Sequence, residues 1–122
     1  VLAPLALDVR ERPWRTGVVD AIYTANTLHI MSWDDVATFF AGVPEVLAHG
    51  GALCVYGPFR YGGAHTSASN AEFDVLLRER DPASGIRDFG AVDALAAQAG
   101  LALVADHALP ANNRFLHWRR AR

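Results

Sequence analysis

Val18-Val19-Asp20-Ala21-Ile22-Tyr23-Thr24-Ala25 and Ala52-Leu53-Cys54-Val55-Tyr56 are the two stretches whose reading decides the fold. Both are short, rich in β-branched and aromatic residues and nearly continuous in apolar character, the pattern of strands covered on both faces. Between them, Ser32-Trp33-Asp34-Asp35 has the form of a capping box: the Ser hydroxyl accepts from an orphan amide and Asp35 reaches back. Val36, Phe39, Phe40, Val43, Val46 and Leu47 then recur at helical spacing and make one apolar face. Pro44 falls inside that stretch and predicts a kink or interruption, and Gly50-Gly51 predicts the helix stop. Strand, helix and strand in this order, joined by short connections, read as a parallel βαβ unit.

Upstream of this unit, Pro4 to Val9 predicts a short buried strand containing Asp8, and Arg10 to Thr16 a polar loop holding Pro13. Downstream, a Gly-, Ser-, Thr- and Asn-rich loop runs from Tyr61 to Ser69. Ser69 with Glu72 makes a second capping box, Phe73, Leu76 and Leu77 mark the helix face, and Asp81-Pro82-Ala83-Ser84-Gly85 ends it. A third helix is predicted from Phe89 to Ala99, with Asp88 as its cap and Gly100 at its end. Leu101–Leu109 and Asn113–Trp118 both alternate, and Pro110-Ala111-Asn112-Asn113 between them has turn chemistry, which predicts a terminal antiparallel hairpin. The fold class is α/β: parallel strands with helices, finishing in an antiparallel pair. A sheet with that ending resembles the Rossmann-like sheet of class I S-adenosylmethionine methyltransferases.

Composition narrows the field. The chain has 122 residues, 52% of them apolar, and a formal net charge of −2. That predicts a single domain over residues 1–122 and no positive field for generic binding to nucleic acid or anionic membrane. The single Cys54 makes no internal disulfide or thiolate cage, and in its apolar run it reads as a small buried hydrophobe. No apolar stretch reaches the roughly 18 residues of a membrane span, so a cytoplasmic protein is the expectation. His29, His49, His65, His107 and His117 lack the helical i, i+4 spacing of a zinc pair, and neither Gly-x-Ser-x-Gly nor Gly-Lys-Ser/Thr occurs.

In open parallel sheets, ligands bind beyond the carboxyl ends of the strands. The polar groups there are Asp8 after the first strand, Asn26, Thr27 and His29 after the second, and Tyr56, Gly57, Pro58 and Phe59 after the third. Asp8 is either an acceptor for a ribose hydroxyl or exocyclic amine, or a loop cap. Asn26 is either a ligand for the amino-acid end of a cofactor or a turn residue. His29, set between Leu28 and Ile30, is either a general base or a satisfied core histidine. The loop Gly62 to Asn70 combines glycines with hydroxyl and amide groups ahead of a helix, which suits a carboxylate or an ordinary capped loop equally.

Ala25-Asn26-Thr27-Leu28-His29-Ile30, Tyr56-Gly57-Pro58-Phe59, His65-Thr66-Ser67 with Ser69-Asn70 and Phe73-Asp74, Asp81-Pro82 with Gly85 and Arg87-Asp88, and Pro110-Ala111-Asn112-Asn113 together resemble the methyltransferase-like protein 26 family. The resemblance runs from about Pro4 to Trp118 and implies a bacterial, S-adenosylmethionine-dependent enzyme of the class I fold acting on a small molecule. It implies that Asp8 meets the adenine and that Asn26, Thr27 and His29 lie against the methionine moiety. It further implies that Tyr56 to Phe59, Asn70, Asp74, Arg87, Asn112 and Asn113 form the substrate-side wall, with His29 or Tyr56 orienting or taking a substrate proton. The Gly-rich turn and the acidic residue that hold the cofactor in such enzymes have no counterpart here. The chain, which opens on Val1-Leu2-Ala3-Pro4-Leu5 without Met, is therefore expected to be the carboxyl-terminal part of the fold. A strand at Val18–Ala25 without its neighbour would expose an edge, which predicts pairing with a second copy or with Pro4–Val9. The rival reading is a non-catalytic α/β module serving assembly or partner binding, and a third is another nucleotide-binding α/β enzyme.

Overall fold

In the computed structural model, which describes Arg10, Trp14 and residues 17–122, the central unit is strand β1 (Val19–Ala25), helix α1 (Trp33–Val46) and strand β2 (Leu47–Gly57). The expected strand at Pro4–Val9, with Asp8, lies outside the described residues, as does most of the Arg10–Thr16 loop. Ser32 caps α1 as its sequence predicts, the hydroxyl accepting from the Asp35 amide at 3.1 Å. Pro44 does not interrupt the helix. It stands close to the end, and the helix hands over directly to β2 when the Leu47 amide donates to the Val43 carbonyl.

Gly50-Gly51, expected to stop the helix, instead lies inside β2. The β1–β2 ladder is parallel, and its register shifts between Val19↔Leu47 and Ala21↔Ala52, so β2 carries extra residues there. Gly50 takes a φ of 78°, and a Cβ on Gly51 would come within 2.9 Å of the Asp20 carbonyl oxygen. The glycine pair thus serves a bulge in a sheet.

Strands β5 (Leu101–Leu109) and β6 (Asn113–Arg120) form the expected hairpin, and β6 inserts antiparallel beside β2 to give a four-stranded sheet in the order β1-β2-β6-β5. The hairpin turns through Pro110–Asn112, where Ala111 (φ 64°) and Asn112 (φ 60°) both adopt the left-handed conformation. Helix α3 (Phe89–Gln98) starts at Asp88, whose carboxylate accepts from the Gly90 amide at 3.1 Å. Leu53, Val55, Leu116, Trp118 and Leu101 on one face of the sheet pack against Val36, Phe40 and Val43 of α1 and Val92 and Ala96 of α3. The other face, carrying Tyr23, Cys54, Tyr56, Phe115 and His117, differs from the expectation of strands covered on both sides. Among the described residues no helix lies over it, and Tyr23 is 65% exposed.

Helix α2 (Ala68–Arg80) departs most from its sequence pattern. Its cap is Ser67, not Ser69: the Ser67 hydroxyl accepts from the Asn70 amide at 3.0 Å. Leu76 is exposed and Phe73 is only partly covered, its ring against His29, while Asn70, Asp74 and Leu77 are buried. The polar residues win the inner face because each has partners there that Phe73 and Leu76 would leave unpaired. Before α2, the loop forms a small ribbon of β3 (Arg60–Tyr61) and β4 (Ala64–His65), which the sequence pattern did not predict.

Trp118 is fully buried, edge-on to Phe40 with centroids 5.9 Å apart, and its indole N–H donates to Asp93 at 2.9 Å. Asp93→Ala leaves that buried donor unpaired and is expected to cost about 1–3 kcal/mol in a urea melt, whereas Asp93→Asn, which keeps an acceptor, costs less. Equal losses for the two variants would show that the hydrogen bond is not what holds the indole.

Candidate functional site

The carboxyl ends of β1 and β2, the amino end of α2 and the β5–β6 turn converge on a cleft of about 430 Å³. Asn26 leaves β1 in the left-handed conformation (φ 56°), which Asn tolerates better than most residues, and its amide donates to the Tyr56 carbonyl at 2.9 Å. This bond ties the exits of the two strands together, so Asn26 and Pro58 line the same cleft. Gly57 keeps the floor low: a Cβ there would stand 3.7 Å from His29 Nδ1 and 4.0 Å from Asn26 Oδ1. Asn70, Ser69 and Phe73 enter from α2, and Asn113 and Ala111 from the hairpin. No side chain lining this cleft is an acid, a lysine or an arginine.

His29 is 6% exposed, and its ring meets Phe73 edge-on at 5.6 Å. Among the described residues none hydrogen-bonds its ring nitrogens, and neither nitrogen is sealed from the cleft. Burial first, and the positive Arg87 second, hold its pKa below the usual histidine value. The imidazole is therefore neutral at pH 7, with a free acceptor nitrogen.

The remaining sequence candidates fall into separate groups. Tyr56 stands beside the cleft, its hydroxyl accepting from Asn113 Nδ2 at 3.0 Å. Phe59 is buried. Asn112 contributes its carbonyl, which together with Thr66 Oγ1 accepts from Asn70 Nδ2 at 3.1 Å. Thr27 faces the other way: its hydroxyl pairs with that of Thr24, and both line a second cavity of about 600 Å³ along β1 with Tyr23, Ile30 and Met31. Asp74 and Arg87 do not line the cleft. The Asp74 carboxylate accepts from the Ile86 amide at 2.8 Å, from Arg78 at 2.9 Å and from His65 at 3.2 Å. Arg87 donates to the carbonyls of Met31, Ala83 and Leu28 and lies 5.7 Å from the centre of the Trp33 ring. Ser69 and Phe73, which the sequence pattern assigns to a cap and a core face, are cleft residues. Their one legible signal is their place beside Asn70, in the loop-to-helix stretch of the resemblance.

The sequence profile of a family described as "Protein of unknown function (DUF938)" matches residues 1–120. The chain belongs to that family. In fold it is similar to an O-methyltransferase family protein from Burkholderia thailandensis (TM-score 0.77, 18% identity, 94% of this chain and 33% of that one). It is similar also to an O-methyltransferase family 2 protein from Planctomyces limnophilus, solved in complex with apigenin (0.81, 18%, 93% and 34%). Human N-acetylserotonin methyltransferase, solved in complex with S-adenosylmethionine, is a further match (0.78, 14%, 97% and 33%). The fold is thus methyltransferase-like, and the chain spans about a third of the length of each of these proteins.

The state of His29 sets a pH dependence. Its folded pKa lies below the unfolded value of about 6.5, so the unfolded chain binds the extra proton and stability falls as pH drops below about 6.5. His29→Gln is expected to flatten the loss of melting temperature between about pH 7 and 5. An equally steep loss in the variant would mean that His29 is not the group being protonated.

Proposed function

We propose that this chain forms the acceptor side of an S-adenosylmethionine-dependent methyltransferase, and that a neutral small molecule bearing a hydroxyl is methylated in the cleft of Asn26, His29, Asn70 and Asn113. The observation that carries the reading is His29: a buried, neutral imidazole whose ring nitrogens have no protein partner among the described residues, facing a cleft lined by amides. A structural histidine in a core normally spends its nitrogens on protein hydrogen bonds. The methyltransferase-like fold and the resemblance of its motifs to the methyltransferase-like protein 26 family point the same way.

The residues fit the cofactor at Gly57, whose missing side chain leaves a hollow between Asn26 and His29. Asn26, which lines the cleft, would hold the amino-acid end of the cofactor, with Thr27 in the neighbouring β1 cavity. When bound, S-adenosylmethionine supplies an electrophilic methyl group. The Gly-rich turn for it has no counterpart in these residues, so the reading places that part of the site in further chain, in keeping with the third of the solved relatives that this one spans.

The chain's own chemistry is then positioning and one proton transfer. Asn70 and Asn113 offer amide groups to orient a polar acceptor, Phe73 offers a ring edge, and the absence of ionised groups in the lining favours an uncharged molecule. The acceptor's O–H gives its proton to a His29 ring nitrogen as oxygen becomes nucleophilic, and alignment supplies the rest of the rate. One protein of similar fold was solved in complex with apigenin and another is named for N-acetylserotonin, which makes hydroxylated aromatics the first acceptors to try.

Calorimetric titration of the full-length protein, including the further chain, with S-adenosylmethionine is expected to give a saturable heat that Asn26→Ala weakens. His29→Gln is expected to bind the cofactor normally but to lose methyl transfer to hydroxylated aromatics by a factor on the order of 10²–10⁴. No heat and no thermal shift at millimolar cofactor would overturn the methyltransferase reading.

A further inference from the structure

We infer that the segment Ser84–Arg87 is a positioning strap that fixes His29 from behind. The segment after β1 that carries His29 is neither helix nor strand, so its carbonyls have no ladder to bind. Ser84–Arg87 takes them up in succession. Arg87 Nε donates to the Leu28 carbonyl at 3.5 Å, the Gly85 amide to the His29 carbonyl at 2.9 Å, and Ser84 Oγ to the Ile30 carbonyl at 3.1 Å. Arg87 Nη2 donates to the Met31 carbonyl. Every peptide on either side of the imidazole is thereby held by one short stretch of chain more than fifty residues further on, as the separation of 54 between Ser84 and Ile30 shows.

The strap is itself held rigid. The Ile86 amide donates to Asp74 Oδ1 at 2.8 Å, Arg60 Nε donates to the Ile86 carbonyl at 3.0 Å, and the Arg60 amide to the Arg87 carbonyl at 2.9 Å. A Cβ at Gly85 would stand 3.2 Å from Asp74 Oδ1 and 3.3 Å from Arg78 Nε, so a side chain there would press on the Asp74–Arg78 pair. Ser84 and Ile86 are buried, and the Ile86–Asp74 bond is shielded from water. None of Ser84, Gly85 and Arg87 lines the cleft. Their action on an acceptor passes through His29, which makes them positioning residues. A loop released at these carbonyls would let the ring turn away from Gly57 and admit water around it.

This inference rests on His29 being the proton acceptor proposed above, but its test does not need the activity. Ser84→Ala and Arg87→Lys leave the net charge unchanged while removing the hydroxyl and the guanidinium fork. Titration of the His29 ring by NMR in the folded protein is expected to show its pKa raised by about half a unit in either variant, because the loosened ring is more hydrated. Arg87→Lys is expected to resemble Arg87→Gln more than wild type, since the fork and not the charge does the holding. In a methyl-transfer assay, kcat is expected to fall about tenfold or more with cofactor affinity unchanged. An unmoved His29 titration in Ser84→Ala and Arg87→Lys, in proteins that still melt cooperatively, would overturn the strap even if methyl transfer is found. A shifted titration in a protein that never binds the cofactor would leave the strap standing and remove the enzyme reading instead. Should Arg87→Lys fail to fold, Ser84→Ala alone decides the question.

Discussion

The carboxylate of Asp74 is the contact on which the site depends. It is buried on the inner face of α2, and it gathers the Ile86 amide, the Arg78 guanidinium and the His65 ring around two oxygens. Each of those groups belongs to a different piece of chain: the loop before α3, α2 itself and the β4 ribbon. Without the carboxylate, a buried amide would lose its partner and the loop would have little apolar surface with which to stay in place, since Ile86 is its one large buried hydrophobe. With it, Ser84–Arg87 is held against the segment after β1, and the imidazole of His29 is held over Gly57. The chain of consequence runs from one ion-paired acid to the aim of one ring.

The sheet supplies the other half of the geometry. Because β1 and β2 are parallel, their exits lie at the same edge, and because β6 is antiparallel to β2, the hairpin turn that precedes β6 arrives at that edge as well. Gly57 pairs with Arg114 in the ladder, which places Asn113 next to the β2 exit. Three amide side chains, Asn26, Asn70 and Asn113, therefore meet through topology, although they are far apart in sequence. Two of the turns that bring them there use left-handed backbone, at Asn26 and at Ala111-Asn112. The bend at Asn26 is locked by its amide bond to the Tyr56 carbonyl.

What local chemistry decides is legible from local sequence. The Ser32 and Asp88 caps, the βαβ order and the terminal hairpin are all set by residues a few positions apart, and each is found where the pattern puts it. The list of groups at the strand exits likewise held Asn26, His29 and Pro58, which do share a cleft. What was illegible depends on partners distant in sequence. Gly50-Gly51 looks like a helix stop until β1 lies beside it and the bulge needs a residue without a side chain against the Asp20 carbonyl. Phe73 and Leu76 look like a core face until Asp74 and Asn70 find the Ile86 amide and the Asn112 carbonyl. Arg87 reads as a wall residue until its guanidinium is seen to be spent on the backbone around His29.

The places where the molecule departs from its local pattern are not scattered. Consistency among propensity, patterning and packing is what specifies a fold, and natural chains break it chiefly where function requires something else. Here the breaks are concentrated. The polar inner face of α2, the buried Ser84, the unshared imidazole and the left-handed Asn26 all border the cleft or the strap behind it. The opposite end of the molecule, where Trp118, Phe40, Val43 and Val92 meet, is conventional apolar packing. Leucine in place of Asn70 or Asp74 would leave the Asn112 carbonyl and the buried Ile86 amide without partners, so the polar inner face of α2 is tied to the hairpin turn and to the strap that it holds. The buried polar groups of α2 and the stretch behind His29 therefore form one connected arrangement, in which the carboxylate of Asp74 holds Ile86 and the neighbouring Gly85 amide holds the His29 carbonyl.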